Sequence, residues 1–296
     1  MRIGTRGSQL ALWQANEVAR RLTAAGFKPE IVTIKTTGDK RQDVSLASVG
    51  GKGVFIKELE EALSRGEIDL AVHSLKDVPS IVPPQFELTA FLDRADPRDA
   101  WVQLDGIPIH AMHAGSKVAT SAPRRRAQLR ELFPKLRIEE IRGNVDTRIN
   151  KLRSGLYDGA ILASAGLTRL GRAGEITSRF SIDEMIPAAG QGIIAIETLT
   201  GRGDQIAKAL NHAPTALAAK CERGVLQKFG NLLDCYSAVA VHTTIERDTI
   251  AIRAFFGEID GDRTIRFKQS GTNAEELIDG VYEALVAAGA EELAVR

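Results

Sequence analysis

The chain has 296 residues, enough for two or three domains, with 44% hydrophobic and 26% charged residues, the balance of an ordinary globular protein. Thirty-nine Lys+Arg against thirty-eight Asp+Glu give a formal net charge of +1, which argues against a nucleic-acid-coating protein or an acidic solvating tail. Two cysteines, Cys221 and Cys235, are too few for a disulfide framework, and no Cys/His spacing suits a metal. Met1–Arg6 carries no apolar signal region and no eighteen apolar residues run together, so a soluble, cytoplasmic protein with no membrane partner is expected.

Along the first half, β-type runs alternate with helical patterns. Arg2-Ile3-Gly4 reads as a strand, followed by an amphipathic helix from about Leu10 to Ala24, with Leu12, Val18 and Leu22 near helical spacing and Gly26 as its stop. A strand over 30–36, a helix over 55–64 and a buried strand over 69–73 come next, an order that favours parallel sheets covered by helices. From about Asp93 the same grammar restarts: strands at 117–120, 137–141, 159–163 and 193–197, with helices at 124–132 and 147–154. Asn211–Pro214 reads as a linker. Beyond it come a helix through Cys221, a loop at 229–235, three hairpin-like strands (238–244, 249–256, 263–269) with a turn signal at Asp260-Gly261, and a closing helix over 274–288.

Two glycine loops are set aside first. Around Gly51-Lys52 a phosphate loop would need an earlier Gly where Leu46 stands and a Ser or Thr where Gly53 stands. Gly190-Gln191-Gly192 is followed by a strand rather than a helix, which fails the dinucleotide-binding context. His73-Ser74-Leu75-Lys76-Asp77-Val78-Pro79 is more informative, since it emerges at a strand's C-terminal end, where open α/β sheets bind ligands. It is either a site with an acid, a cation and a hydroxyl, or a solvated loop with a Lys–Asp pair.

Ala122-Pro123-Arg124-Arg125-Arg126 places guanidiniums at a helix start, where the macrodipole disfavours cations, so an anionic ligand is a reasonable compensation. Arg142 and Arg148 follow the next strand, Arg6 follows the first, and Lys52 lies in a glycine loop. No aromatic residues are interleaved with these arginines, so a polycarboxylate fits better than a nucleic acid. Cys235 stands in a predicted loop, open to a functional role or to burial as a small hydrophobe, whereas Cys221 on its helix fits burial.

Together these stretches closely resemble the porphobilinogen deaminase (hydroxymethylbilane synthase) family. The motifs are Arg2-Ile3-Gly4-Thr5-Arg6-Gly7-Ser8 with Leu10–Gln14, Gly38-Asp39, Gly50–Phe55 with Lys57–Glu60, and His73–Pro79. Arg124-Arg125, Arg142–Arg148 and Pro187–Gly192 complete the set, running in order up to Glu197 and resuming more weakly near Cys235.

The resemblance implies an α/β protein of three domains. Two are periplasmic-binding-protein-like (type II) lobes with a hinge, residues 1–92 with 193–210 and residues 97–188. The third, residues 214–296, is a small C-terminal α/β domain with a three-stranded antiparallel sheet that carries the cofactor cysteine. It further implies a dipyrromethane cofactor held by a thioether to Cys235, onto which four porphobilinogens are condensed head to tail with loss of ammonia before hydrolysis releases hydroxymethylbilane. Asp77 matches the catalytic position. Lys76, Ser74, Thr120, Arg124, Arg125 and Arg148 match cofactor-binding positions, and Arg6, Ser8, Gln14, Lys52, Arg142 and Arg148 match substrate-binding ones. No metal and no nucleic-acid partner is implied, and a monomer is expected.

Several positions depart from the family pattern. Leu233-Asp234 precede Cys235 where glycines are usual, and Ala238 replaces a Pro. Ala122 stands for a frequent Ser, and Ser48 for a common Lys. A two-lobed protein that binds a polycarboxylate without turnover is the rival reading.

Overall fold

The computed structural model describes residues 1–35, 56–234, 236–259 and 263–294. Ser48, Lys52, the 50–53 glycine run, Cys235 and the Asp260-Gly261 turn lie outside the described residues.

In chain order, β1 (Arg2–Arg6) leads into α1 (Gln9–Ala24), which starts where Ser8 accepts a hydrogen bond from the Ala11 amide. The helix buries Ala15, Val18 and Leu22 on one face and stops at Gly26, whose φ of +88° suits glycine. Then come β2 (Glu30–Ile34), α2 (Lys57–Ser64), β3 (Leu70–Ser74) and β4 (Phe86–Phe91). The chain continues through β5 (Asp99–Val102), β6 (Lys117–Ala119), α3 (Pro123–Leu132), β7 (Arg137–Glu139), α4 (Val145–Arg153), β8 (Gly159–Ala163), α5 (Ser164–Arg169) and β9 (Ser178–Arg179). It returns through β10 (Ile194–Leu199) and α6 (Asp204–Leu210) to α7 (Ala213–Phe229). β11 (Ala238–Glu246), β12 (Thr249–Gly257), β13 (Thr264–Gly271), α8 (Ala274–Ala287) and α9 (Ala290–Ala294) close the chain.

Two compact units result: residues 1–95 with 192–217, and residues 96–191 with 218–296. The first holds a five-stranded sheet in the order β2-β1-β3-β10-β4. The expected parallel pairing is found for β1 with β2 and β3, but β10 runs antiparallel to both of its neighbours. The sheet is therefore mixed. No strand–helix–strand crossover leads into β10, which arrives after the excursion through 96–191, so nothing enforces parallel pairing there. α1 and α6 cover one face with Val18, Leu22, Ile206 and Leu210 on Ile3, Leu70, Val72, Ile194 and Ile196. On the other face Leu59, Ala62 and Leu63 of α2 pack with Ile68, Ala71 and Phe86.

The second unit repeats the order as β7-β6-β8-β5-β9, with β5 antiparallel to β8. Gly159 lies so close to the buried Trp101 ring that a Cβ would overlap it, which explains a glycine inside a central strand. The same unit contains the antiparallel sheet β11-β12-β13, as expected. Ala238, Ala240, Phe255 and Ile259 of that part pack with Ala127 and Ile186. Glu222 of α7, fully buried, accepts from the Gly190 amide at 2.6 Å and the Thr243 amide at 2.7 Å.

β4, β5, β9, α5 and α6 have no clear pattern in the sequence. β9 is two residues long, and β5 begins with a charge, Asp99, that only its partners explain. Asn211–Pro214, read as a linker, spans the junction of α6 and α7, with Pro214 inside the first turn of α7.

Candidate active site

In the first unit, the C-terminal ends of β1 and β3 and the start of α1 surround a depression of about 450 Å³ including its open mouth. Its lining includes Arg6, Ser8, Gln14, His73, Ser74 and Asp77. Five of the expected site residues thus meet in one place. Arg6 ends β1, and Ser8 caps α1. Gln14, buried on the first turns of α1, donates from Nε2 to Ser74 Oγ at 2.8 Å, tying helix to strand end. Lys76 and Asp77 lie in the single 3₁₀ turn, Leu75–Asp77, that follows β3.

Thr120, Arg124, Arg125, Arg142 and Arg148 belong to the second unit. Thr120 follows β6, is buried, and accepts from the Ala122 amide at 3.4 Å. Ala122 is the residue before α3 and provides no side-chain cap, and Pro123 opens the helix. Arg142 pairs with Glu140 at 2.9 Å. Arg148 donates from Nε to the Gly143 carbonyl at 2.8 Å, on a helix capped by Asn144. Lys52 and Cys235 lie outside the described residues.

Arg124 and Arg125 are almost fully buried, and the anion that compensates them is internal. Arg124 donates to Asp99 Oδ2 at 2.6 Å and to Oδ1 at 3.1 Å. Arg125 donates to Oδ1 from Nη2 at 2.7 Å and from Nε at 3.0 Å. Gln191 joins them, giving Nε2–H to Asp99 and accepting from Arg124. Burial alone would raise the Asp99 carboxyl, but the two guanidiniums hold it far below the usual carboxylate range. Sequence reasoning missed Asp99 because a lone Asp before Ala-Trp-Val carries no motif. Gln191 does lie in the Pro187–Gly192 motif, which was the available signal. The remaining guanidinium N–H groups also reach backbone, Arg124 donating to the Ile186 carbonyl and Arg125 to the Ile161 carbonyl, each at 3.1 Å.

Cys221 is fully buried in α7, and burial, then Glu222, push its thiol up to about 11. Both disfavour the thiolate, the reactive form of the sulfur. On either side of Cys235, Asp234 Oδ1 accepts from the Tyr236 amide at 2.8 Å and from Ser237 Oγ at 3.0 Å. The acid that departs from the family pattern thus serves as a turn-former.

The two sheets share one order, with the fourth place held by the strand on which the chain enters from the other unit, β10 in the first and β5 in the second, which makes this a type II periplasmic-binding-protein-like α/β fold with an added three-stranded sheet. A sequence profile described as "Porphobilinogen deaminase, dipyromethane cofactor binding domain" matches residues 1–207. The chain is 44% identical over 299 residues to the porphobilinogen deaminase of Trichlorobacter lovleyi, covering 99% of this chain and 95% of that one. For the Geobacter sulfurreducens protein of that name the identity is 43% over 301 residues, with 99% and 93% covered. Among solved structures, the methionine-binding protein MetQ superposes with a TM-score of 0.45 at 14% identity, over 71% of this chain and 89% of that one. The chain belongs to the porphobilinogen deaminase family and is a transferase of tetrapyrrole assembly.

Proposed function

We propose that the protein condenses four porphobilinogens head to tail, releasing ammonia at each step, and then hydrolyses the product to hydroxymethylbilane. The observation that supports this beyond family membership is a single acid, Asp77, set among a guanidinium, two hydroxyls and an amide in one depression. When bound, the dipyrromethane supplies a free pyrrole α-carbon that accepts the first substrate. Asp77 faces the substrate pyrrole N–H and stabilises the positive charge that develops as the aminomethyl nitrogen leaves. Arg6, Ser8, Gln14, Lys52, Arg142 and Arg148 take the substrate's acetate and propionate groups. Ser74, Lys76, Thr120, Arg124, Arg125 and Arg148 take those of the cofactor, whose thioether we assign to Cys235, and residues 214–296 serve as its carrier domain.

Each added ring brings two more carboxylates, which is why so many cations are gathered on a chain of near-zero net charge. Among the described residues no helix is long and apolar enough to cross a membrane, and we read the enzyme as a cytoplasmic monomer without nucleic-acid partners. The test is porphobilinogen consumption with ammonia release by the purified protein and by Asp77→Asn. Turnover should fall by about 10²- to 10⁴-fold with the melting temperature little changed, and wild-type-like turnover in Asp77→Asn would remove Asp77 from this role. Intact mass should exceed the sequence mass by one two-ring unit, lost in Cys235→Ser and kept in Cys221→Ser. Bare sequence mass in an active wild type would overturn the cofactor assignment.

A further inference from the structure

His73, the residue before Ser74 on β3, lines the same depression as Asp77 yet is nearly buried. Its Nε2 lies 2.9 Å from Glu197 Oε2 on β10. In the antiparallel register Ala195 stands opposite His73 and Glu197 opposite Ala71, so the two side chains share a sheet face and meet on the diagonal. That face is the one covered by α2, where burial first and the charge of Glu197 second raise the Glu60 carboxyl while His73 lowers it.

Two features separate this pair from a structural clasp. Glu197 is 0% exposed, yet its Oε1 has no hydrogen-bond partner among the described residues. Buried polar atoms are nearly always satisfied, and a native exception calls for a reason. The second feature is the free end of the ring. Nδ1 of His73 makes no hydrogen bond among the described residues, and the residue borders the depression. A carboxylate holding one imidazole nitrogen fixes the ring and raises the basicity of the other.

We propose that His73 is a second catalytic group, carrying the reaction's proton at Nδ1, with Glu197 as the positioning residue that grips Nε2. This rests on the function proposed above. The proton on Nδ1 passes to the aminomethyl nitrogen of porphobilinogen, the C–N bond breaks with its electron pair on nitrogen, and ammonia departs. Once the carbon–carbon bond has formed, the accepting pyrrole, substrate-derived after the first addition, sheds its α-proton, which returns to Nδ1. One proton leaves and one returns, and no oxidant or reductant is needed. The charged groups around the ring are Glu197 and Glu60 on its sheet face and Asp77, Arg6 and Lys76 at the strand ends.

His73→Gln keeps an N–H for Glu197 but cannot titrate. Its turnover should fall by about 10²-fold or more, with porphobilinogen binding by calorimetry and melting temperature retained. In the wild type, the His73 imidazole proton resonance should titrate and shift on porphobilinogen binding. In Glu197→Gln its midpoint, and the alkaline limb of the pH–rate profile, where the proton donor is lost, should both move to lower pH. A His73→Gln protein within threefold of wild-type turnover with an unchanged pH profile overturns the proposal, as does a resonance that ignores substrate. A midpoint unmoved in Glu197→Gln removes the positioning role. A wild type that does not consume porphobilinogen would refute the functional reading instead, so the two failures are distinguishable.

Discussion

β5 and β10 occupy the same place in two sheets of the same order, each antiparallel to its sheet's third helix-covered strand, and each buries one carboxylate. Asp99 opens β5 opposite Ala163, and both of its oxygens are taken by two guanidiniums and an amide. Glu197 is the fourth residue of β10, opposite Ala71, and among the described residues has an imidazole partner on one oxygen and none on the other. The first arrangement pairs an acid with two guanidiniums, which hold its carboxyl far below the usual carboxylate range. The second pairs an acid with the one side chain that changes charge near neutrality. The same backbone slot holds one carboxylate whose two oxygens are both matched by donors and one that, among the described residues, has an oxygen without a partner.

The comparison breaks first on stability. Asp99→Asn leaves two buried guanidiniums without a counter-charge and should cost about 3–5 kcal/mol in denaturant unfolding, a larger loss than any single change at β10. Glu197→Gln should cost only about 1–2 kcal/mol, since it removes a charge whose pairing is incomplete. Equal losses at the two sites would erase the distinction.

Acid titration sharpens it. The Asp99 carboxyl is held below its unfolded value of about 3.9, so its pairing contributes fully above that pH and is lost as pH falls through the folded value. Unfolding free energy measured from pH 5 downward should therefore drop in the wild type and flatten in Asp99→Asn. In the first unit Glu17 of α1 is held down to about 2, by Arg20 first, with burial opposing and Arg21 adding. Its contribution is lost over the same direction of pH, but as a surface pair it should be worth about 0.5–1 kcal/mol, checked with Glu17→Gln. Gln14→Ala, which removes the hydrogen bond to Ser74, should likewise have a small effect, about 0.5–1.5 kcal/mol by thermal melting.

Periodicity and spacing alone were enough for most of the strands and helices. Apolar spacing in α1, the unbroken apolar run before His73 and the Gly159–Ala163 strand are local signals, and local signals survive in a sequence. The resemblance to the family marks Arg6, Ser8, Gln14, Ser74 and Asp77, and the fold gathers them because strand ends in α/β sheets converge on one edge. Three things were decided only by tertiary structure. The direction of β10 depends on a strand returning from roughly a hundred residues away, which no neighbouring residue records. The burial of Arg124 and Arg125 goes with Asp99, twenty-five residues before Arg124, so that residues read as ligand contacts are anchored to an internal anion. The pairing of His73 with Glu197 spans 124 residues and follows from sheet register, and a hydrogen bond at that separation exists only once the chain has folded.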